Sequence, residues 1–315
     1  MRIWWHKVIN WEYWPSYIIY SPTFIFWLWM MIRFKSVTFY KYINPDIKNG
    51  GLYGDSKMET YKLLPENYYP KTIKINKGCN YNFQLLINEF HLSFPLILKP
   101  DIGCRGMNVE LVSSITEIEK YKGINNFDFL IQEYVDLPNE IGLFYIRMPD
   151  KENGIISGIT IKNFITIKGN GTDTIEQLLK KNKRHEMQIM RLKEKINLSE
   201  VLEQNKTRCL VPYGNHSRGT EFLDGSKLTT QNLQTTFDEI LSRLGGFYYG
   251  RLDIRFNNFE DLEQGKNFSV IEVNGAKSEP THIYDPKHTF LYAQKEIFRH
   301  QNFIYEIVKA NLKRK

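Results

Sequence analysis

Charged and amide side chains alternate with apolar residues in two short stretches near the C-terminus of this 315-residue chain. In the first stretch, GRLDIRF, the residues Arg251, Asp253 and Arg255 are two positions apart. In the second, VIEVN, Glu272 and Asn274 have the same spacing. Successive side chains of a β-strand point to opposite faces, so each stretch predicts a strand with one polar face. The polar connection NNFEDLEQGKN predicts that the two strands form an antiparallel pair.

The second strand is apolar apart from its carboxylate and its amide. Alternation along the strand predicts that Glu272 and Asn274 share a face with Val270. An ionised carboxylate is costly to bury without a partner, so the pair requires a cation, a hydrogen-bonding ligand or open water. Together with Asp253 they form a set of oxygen ligands suited to Mg²⁺, an ion that proteins usually share with substrate phosphates. The alternative is a salt-bridged, exposed sheet face without a ligand.

A glycine-rich turn joins two apolar stretches in FPLILKPDIGCRGMNVELV. The first apolar stretch ends at Lys99, and the turn runs from Gly103 to Gly106. Glycines allow backbone N–H groups to point at an anion, and a lysine at a strand end adds a point charge for a phosphate. No G-K-[ST] opens a helix here, so this is not a Walker A loop. The turn predicts a phosphate-covering loop, with a plain β-turn beside an exposed lysine as the alternative.

The stretch FLIQEYVDLPNEIG reads as a buried strand followed by acidic residues. Its end, Glu133, Tyr134 and Val135, offers backbone N–H and C=O groups to a planar base. Glu140 follows in a predicted loop, within reach of ribose hydroxyls. The alternative is an ordinary strand end with acidic residues on the surface.

Short strands and helices alternate around these stretches. TIKI at 72–75 predicts a strand, and NYNFQLLINEF predicts a helix. Further on, ISGITIKNFITI predicts a strand pair, and residues 233–244 have the spacing of an amphipathic helix that ends at two glycines. The sequence therefore predicts an α+β fold with a small unit followed by a larger C-terminal portion.

The order and spacing of these pieces resemble the ATP-grasp superfamily, and within it the D-alanine–D-alanine ligase-like carboxylate–amine ligases. The stretch GDSKMETYKLLPENYYPKT is part of the resemblance and supplies Lys57. The resemblance implies that Lys57 and Lys99 bind phosphate, and that Asp253, Glu272 and Asn274 hold two Mg²⁺ ions. It also implies further nucleotide-binding residues: Gly103, Cys104, Arg105, Gly106 and Met107 over the β- and γ-phosphates, Glu133, Tyr134 and Val135 at the adenine, and Glu140 at the ribose.

The same resemblance, over roughly residues 55–285, implies an ATP-grasp fold in which a small α+β lid lies over a larger C-terminal α+β domain. We expect three regions: a short, helical, Trp-rich apolar N-terminal segment at 1–54, the lid and the helix leading into it at 55–137, and the catalytic domain at 138–315. The N-terminal segment stands where the family usually has a Rossmann-like unit.

The activity implied by the resemblance is ATP- and Mg²⁺-dependent ligation. A carboxylate is activated as an acyl phosphate, an amine displaces the phosphate, and ADP is released. Closure of the lid, which consists of residues 66–135, would keep water away from the acyl phosphate. Two alternatives stay open: an ATP-grasp kinase that phosphorylates a hydroxyl, and a non-catalytic nucleotide-binding protein.

Arginines and loop residues outside the nucleotide site are candidates for catalysis and substrate binding. Arg251, Lys99 and Arg255 are catalytic candidates, and the resemblance implies that Arg251 faces the acyl phosphate. Arg218 and Arg255 are candidates to grip an anionic substrate group, because a guanidinium binds carboxylate through two hydrogen bonds. His216 is a candidate proton carrier, with a surface hydrogen-bonding residue as the alternative. The other substrate-binding candidates are Asn215, Ser217, Lys277, Ser278 and His282.

Composition and charge limit the class of partner. The three cysteines are far apart without C-x-x-C spacing, which argues against a zinc site or a disulfide framework and favours the reducing cytoplasm. The net charge of +7 is spread along most of the chain and selects no partner. We expect small-molecule or cell-envelope-precursor substrates and no nucleic acid.

All six tryptophans lie within the first 29 residues, and residues 17–32 are almost entirely apolar. Aromatic residues beside basic ones favour a membrane interface. The segment is slightly short for a spanning helix, which needs about 20 apolar residues. We therefore expect peripheral contact with the inner face of a membrane through residues 1–42. The alternatives are a true span and packing on the protein's own core or on a second subunit, for which a dimer is plausible.

Overall fold

The computed structural model describes residues 3–103, 106–212 and 214–314, so Cys104 and Arg105 of the predicted phosphate loop lie outside the described residues. The N-terminal segment contains the helices α1 (Ile3–Ile9), α2 (Ser16–Ile19) and α3 (Ser21–Phe34). A fourth helix, α4 (Lys57–Tyr61), begins where the Ser56 hydroxyl accepts a hydrogen bond from the Glu59 backbone N–H.

A four-stranded antiparallel sheet follows, with two helices packed on it. Its apolar residues form a core of their own, which includes Ile75, Leu98, Val112 and Phe129. The predicted strand at 72–75 and the predicted helix in NYNFQLLINEF are confirmed. The elements are β1 (Thr72–Ile75), α5 (Phe83–Glu89), β2 (Leu96–Pro100), β3 (Glu110–Val112), α6 (Ile115–Ile124) and β4 (Phe129–Glu133), and the strand order is β1-β4-β2-β3.

A five-stranded antiparallel sheet carries the C-terminal portion. One of its faces packs against the predicted amphipathic helix through Leu233, Phe237 and Leu241. The elements are β5 (Asn139–Ile146), β6 (Ile155–Asn163), β9 (Glu221–Asp224), α10 (Gln231–Leu241), β10 (Tyr249–Phe256), α11 (Phe259–Glu263) and β11 (Phe268–Asn274), in the strand order β11-β10-β5-β6-β9.

The prediction that ISGITIKNFITI forms a strand pair is wrong. Residues 155–163 pair with β5 and β9, whereas residues 166–168 pair with 207–209 in a separate two-stranded sheet. Apolar residues recur at alternate positions in both runs. This alternation does not specify the strand with which each run forms its backbone hydrogen bonds. The small unit around that sheet contains β7 (Thr166–Lys168), α7 (Ile175–Lys180), α8 (Lys183–Glu186), α9 (Ile189–Leu192) and β8 (Thr207–Cys209).

The N-terminal segment packs along the last helix, α12 (Phe290–Lys313). The indole Nε1 of Trp11 donates to the backbone oxygen of His288 at 2.9 Å, and that of Trp27 donates to Gln301 Oε1 at 2.7 Å. Met30 is fully buried between α3 and α12. Packing on the protein's own core, one of the alternatives for residues 17–32, is therefore observed.

The apolar residues 17–32 are divided between α2 and α3, and α3 has only 14 residues. Among the helices of the described residues, none has the length and apolar character required to span a bilayer.

Candidate active site

A cleft lies between the four-stranded sheet and the five-stranded sheet. It contains about 990 Å³ of space not occupied by protein atoms, part of which is open to solvent. Residues from all three stretches predicted to bind nucleotide, and from the hairpin β10–β11, converge on it. The sequence-predicted residues that line the cleft are Lys57, Lys99, Gly103, Gly106, Met107, Glu133, Tyr134, Val135, Glu140, Asn215, Arg218, Asp253, Arg255 and Glu272.

The hairpin brings the predicted magnesium ligands opposite one another. In the antiparallel register, Asp253 pairs with Glu272 and Arg251 pairs with Asn274. The register shifts just beyond Asp253, where Ile254 pairs with Val270, so one residue of β11 has no partner in the ladder. This residue is Ile271, and the resulting irregularity is a β-bulge.

The bulge corrects the prediction that Val270 shares the polar face. An extra residue in one strand reverses the side of the sheet to which the following side chains point. Val270 and Val273 both lie in the main hydrophobic core, whereas Ile271 and Glu272 line the cleft. The carboxylate therefore faces the cleft, and the strand's apolar side chains face the core.

A buried network of charges lies at the floor of the cleft. Lys162 Nζ is 2.7 Å from Glu140 Oε1 and 3.1 Å from Asp253 Oδ2. The Arg251 Nε contacts Asp253 Oδ1 at 2.9 Å, and the Arg255 Nε contacts Glu140 Oε2 at 3.0 Å. Each of these charges has an oppositely charged partner, as burial requires.

Electrostatics keep Asp253 and Lys162 ionised. Burial acts to raise the pKa of Asp253, but the neighbouring Arg251 and Lys162 outweigh burial, and the pKa is lowered. Burial acts to lower the pKa of Lys162, but the carboxylates of Asp253 and Glu140 outweigh burial, and the pKa is raised. Asp253 is therefore a carboxylate at neutral pH, as a metal ligand must be.

Sequence reasoning missed Lys162. The signal was the single charged residue in the stretch GITIKNF, on the same side of β6 as Thr160. Its role became visible only when β6 was paired with β5, the strand that carries Glu140. The expectation that Glu140 lies in a loop is also wrong, since it lies in β5 and is almost fully buried.

Two lysines reach the cleft from the other side. Lys99 Nζ donates to Tyr61 Oη at 2.7 Å, to Gln132 Oε1 at 2.7 Å and to the backbone oxygen of Ile271 at 3.0 Å. Lys57 Nζ donates to the backbone oxygen of Gly103 at 2.9 Å. Burial lowers the pKa of both ammonium groups, and that of Lys99 falls to about 8. Tyr61 and Gln132 are further residues that the sequence did not indicate.

Gly106, the last residue of the glycine turn, lies against the loop that precedes β9. Gly106 has a φ of 65°, which disfavours residues with a side chain, and a Cβ there would lie 2.7 Å from Asn215 Nδ2. The Arg218 Nη2 donates to the backbone oxygen of Gly106 at 2.5 Å. Contact between these two loops closes one end of the cleft.

The remaining predicted residues lie beside the cleft and form ion pairs or hydrogen bonds with other residues of the protein. Lys277 Nζ pairs with Asp55 at 2.8 Å, and Ser278 Oγ donates to the backbone oxygen of Asn274 at 2.6 Å. Ser217 Oγ donates to Asn215 Oδ1 at 2.7 Å. Substrate binding by these residues stays a prediction.

Two histidines and Arg255 also have partners within the protein. His282 is buried, with its Nε2 3.2 Å from Glu296 Oε1, and His216 Nε2 is 3.1 Å from Glu12 Oε2. The Arg255 Nη1 donates to the backbone oxygen of Leu137 at 2.8 Å. The guanidinium of Arg255 thus stabilises the end of the cleft near Glu140, which does not favour the prediction that it grips a substrate anion.

The candidate metal ligands fit a hard cation in their chemistry. Asp253 and Glu272 provide carboxylate oxygens from adjacent strands, and Asn274 provides an amide oxygen. Asn274 is buried, and its Nδ2 has no hydrogen-bond partner among the described residues. Within the same described ranges, no three side chains of the His, Cys, Asp or Glu type come close enough together to hold a metal. Proteins usually hold Mg²⁺ through one or two carboxylates together with oxygens of substrate phosphates.

Comparison with known proteins gives partial matches. No protein-family model matches the sequence. A stretch of 82 residues, 26% of this chain, is 32% identical to inositol-tetrakisphosphate 1-kinase 6 of rice (Oryza sativa), and it spans only 15% of that protein.

Three solved structures resemble the fold at low sequence identity. They are D-alanine–D-alanine ligase from Bacillus anthracis (14% identity, 82% of this chain and 67% of that one, TM-score 0.42), VanG D-Ala:D-Ser ligase from Enterococcus faecalis (12%, 80% and 62%, 0.44) and a bifunctional glutathione synthetase from Pasteurella multocida (13%, 80% and 38%, 0.40). Because these TM-scores are below 0.5, the likeness carries no argument by itself.

The fold class therefore rests on the elements and their order. The predicted α+β fold, with a small sheet and its helices lying over a larger sheet, is confirmed. Between the two sheets lies the cleft on which the resembling motifs converge. Membership of the ATP-grasp superfamily stays a prediction from the sequence motifs.

Proposed function

We propose that this protein is an ATP- and Mg²⁺-dependent ligase that activates a carboxylate as an acyl phosphate and joins it to an amine. One observation carries the proposal: two lysines and two carboxylates face each other across a single cleft. Lys57 and Lys99 lie on the lid side, and Asp253 and Glu272 lie on the hairpin β10–β11. Cations and metal-binding oxygens around one space are what transfer of a phosphoryl group requires.

The proposed reaction has two balanced steps. A carboxylate oxygen of the first substrate bonds to the γ-phosphorus of ATP as the bond to ADP breaks. The amine of the second substrate then bonds to the acyl carbon, phosphate leaves, and the nitrogen loses a proton. Mg²⁺ held by Asp253, Glu272 and Asn274 would neutralise phosphate charge. Lys57 and Lys99 supply further positive charge, and Arg251 stabilises the developing oxyanion.

The proposal is tested by incubating the protein with MgATP and panels of carboxylates and amines. We expect ADP formation that depends on a carboxylate, together with acyl phosphate that hydroxylamine traps when the amine is omitted. Absence of ADP with every carboxylate would contradict the ligase assignment. An Asp150→Asn variant is a matched control, because this aspartate is exposed after β5, away from the cleft.

A kinase that phosphorylates a hydroxyl is the second candidate. The specific observation in its favour is the 82-residue likeness to inositol-tetrakisphosphate 1-kinase 6. The same assay distinguishes the two, because a kinase forms an acid-stable phosphate ester and its ADP formation depends on a hydroxyl compound. ATP binding without any turnover would favour a non-catalytic nucleotide-binding protein. Alanine variants at Asp253 and Glu272 that bind and turn over ATP like the parent would contradict the metal assignment.

We further propose that the enzyme works at the cytoplasmic face of an anionic membrane, on a cell-envelope precursor. The outer face of α3 is apolar, with exposed side chains at Phe24, Ile25, Leu28, Trp29 and Ile32. These positions recur at helical spacing, so they form one continuous stripe.

Positive charge surrounds one end of this stripe. Arg33 and Lys35 are exposed at the C-terminal end of α3, and the Lys309 ammonium is 5.6 Å from the centre of the Tyr305 ring, which stacks on Phe34. An apolar face beside cations matches the interface of an anionic bilayer.

Flotation with liposomes tests the membrane proposal. Ile25→Ser and Ile32→Ser together should abolish flotation with vesicles of 30% phosphatidylserine, while the exposed control Leu85→Ser in the lid should retain it. Substitutions are preferred to deletion of residues 1–42, because deletion would expose the core between α3 and α12. Flotation unchanged in the double variant, or a concentration-dependent dimer that the same substitutions break, would contradict it.

A further inference from the structure

Glu12 of the N-terminal segment has a buried carboxylate, far along the chain from its partners. Its Oε2 is 2.5 Å from Arg184 Nη2 and 3.1 Å from His216 Nε2. The side chains of Glu12 and Arg184 are each only 7% exposed. Burial acts to raise the pKa of Glu12, but His216 and Arg184 outweigh burial, and the pKa is lowered.

Aromatic rings enclose the side chains of Glu12, Arg184 and His216. The Arg184 guanidinium lies 5.4 Å from the centre of the Tyr13 ring, and the His216 ring lies 5.4 Å from the Tyr284 ring and 5.2 Å from the Phe222 ring. Apolar surroundings strengthen the attraction between opposite charges and make an unpaired charge costly. Loss of the Glu12 charge would therefore displace its partners.

His216 belongs to the loop that closes the end of the cleft. Its neighbours Asn215 and Arg218 line the cleft, and Arg218 donates to the backbone oxygen of Gly106 in the glycine turn. A short chain of contacts therefore runs from Glu12 through His216 to the loop expected to cover the phosphates. His216 is engaged in this chain, which gives it a role other than proton transfer.

We propose that Glu12 is a positioning residue, which fixes the loop of His216 both directly and through Arg184, so that Asn215 and Arg218 keep their places beside Gly106 in the wall of the nucleotide cleft. This inference rests on the proposed function, since it assigns the N-terminal segment a role in the same site. In this view the segment does more than fill the space beside α12, because it completes the nucleotide cleft from outside.

Kinetics of Glu12→Gln test the inference. The amide keeps the shape but loses the charge, so the KM for ATP should rise about tenfold while kcat changes less than twofold. Glu12→Asp, which keeps the charge, should recover part of the loss. Glu186→Gln is the matched control: Glu186 pairs with Lys183 on the same short helix as Arg184, and its loss should leave KM unchanged.

Three outcomes decide the matter. A KM for ATP equal to that of Glu186→Gln, with or without a lower melting temperature, would overturn the inference, since a purely structural role predicts that result. If Glu12→Gln does not fold, His216→Gln must give the same rise in KM. If the parent forms no ADP, the proposed function fails, and calorimetric ATP affinity of Glu12→Gln against the parent still decides the role of Glu12.

Discussion

Lys99 is the residue whose burial has the most direct chemical consequence. Its ammonium is enclosed by Tyr61, Gln132 and the backbone of Ile271, none of which carries a negative charge. Burial therefore lowers its pKa to about 8, so part of its charge is already lost in mildly alkaline solution. A bound phosphate restores the protonated form, because a nearby anion favours the cation.

We predict that ATP binding at pH 9 takes up a proton at Lys99. In the protein without ATP, the Lys99 side chain is mostly the neutral amine at that pH, and it becomes a charged ammonium in the complex. Calorimetry in two buffers of different ionisation enthalpy measures the uptake. Lys99→Arg stays charged at all these pH values, so it should bind ATP with less uptake. The same uptake in the parent and in Lys99→Arg would rule out Lys99 as the titrating group.

Asp253 contacts Arg251 and Lys162 and lies opposite Glu272. We predict that Asp253→Asn lowers kcat at least about 100-fold and raises the Mg²⁺ concentration needed for half-maximal rate, because it removes a charged ligand. Titration of activity with MgCl₂ measures both. Asp150→Asn should match the parent. Normal Mg²⁺ dependence in a folded Asp253→Asn protein would refute the metal assignment.

At the scale of elements, one buried side chain joins the N-terminal segment to the catalytic sheet. Asn44 Nδ2 donates to the backbone oxygens of Gly50 at 3.0 Å and Tyr249 at 2.8 Å. Its Oδ1 accepts from the backbone N–H groups of Tyr248 and Tyr249 at 2.8 and 2.9 Å. The start of β10, which carries Arg251 and Asp253, is therefore held by a loop outside the sheet.

We predict that Asn44→Ala lowers the free energy of unfolding by roughly 3–5 kcal/mol, because four buried backbone hydrogen bonds lose their partner. The urea midpoint measures the change, provided that the slope of the transition stays constant. Asn88→Ala, at an exposed site in α5, should change stability by less than about 0.5 kcal/mol. An equal effect of the two substitutions would contradict the bridging role.

The elements themselves were largely predictable. Strand β1, helix α5 and the amphipathic helix α10 follow from local alternation or helical spacing, and the structure has them near the expected bounds. The pairing of β7 with β8 was not predictable, because β8 lies about 40 residues further along the chain. The alternation of side chains in a strand does not specify which other strand it pairs with.

At the scale of the whole molecule, α12 connects the N-terminal segment with the sheet that carries the site. On α12, Glu296 contacts His300 and Arg299, and it also contacts His282 beyond β11. Burial lowers the pKa of His300 to about 4. Burial acts to raise the pKa of Glu296, but His282, His300 and Arg299 outweigh it, and the pKa is lowered.

We predict that stability falls as the pH decreases from about 6.5 towards 4. In this window the unfolded chain protonates His300, whose ordinary pKa is 6.5, while the folded protein does not. The unfolded state then binds more protons, so the free energy of unfolding rises with pH. Urea midpoints at pH 7 and pH 5 measure the slope. The slope should be smaller in His300→Gln and unchanged in His91→Asn, an exposed control; an unchanged slope in His300→Gln would exclude this histidine as the cause.

The sequence by itself determined which side chains are available and which elements carry them. Alternation and glycine spacing are local properties, so Lys99, the glycine turn and the polar strand of Asp253 were all visible in the letters. Only the tertiary structure decided that a bulge at Ile271 turns Glu272 into the cleft, that Lys162 joins Glu140 to Asp253, and that Glu12 reaches His216. Each of these contacts depends on strand register or on packing between segments distant along the chain, which no local pattern specifies.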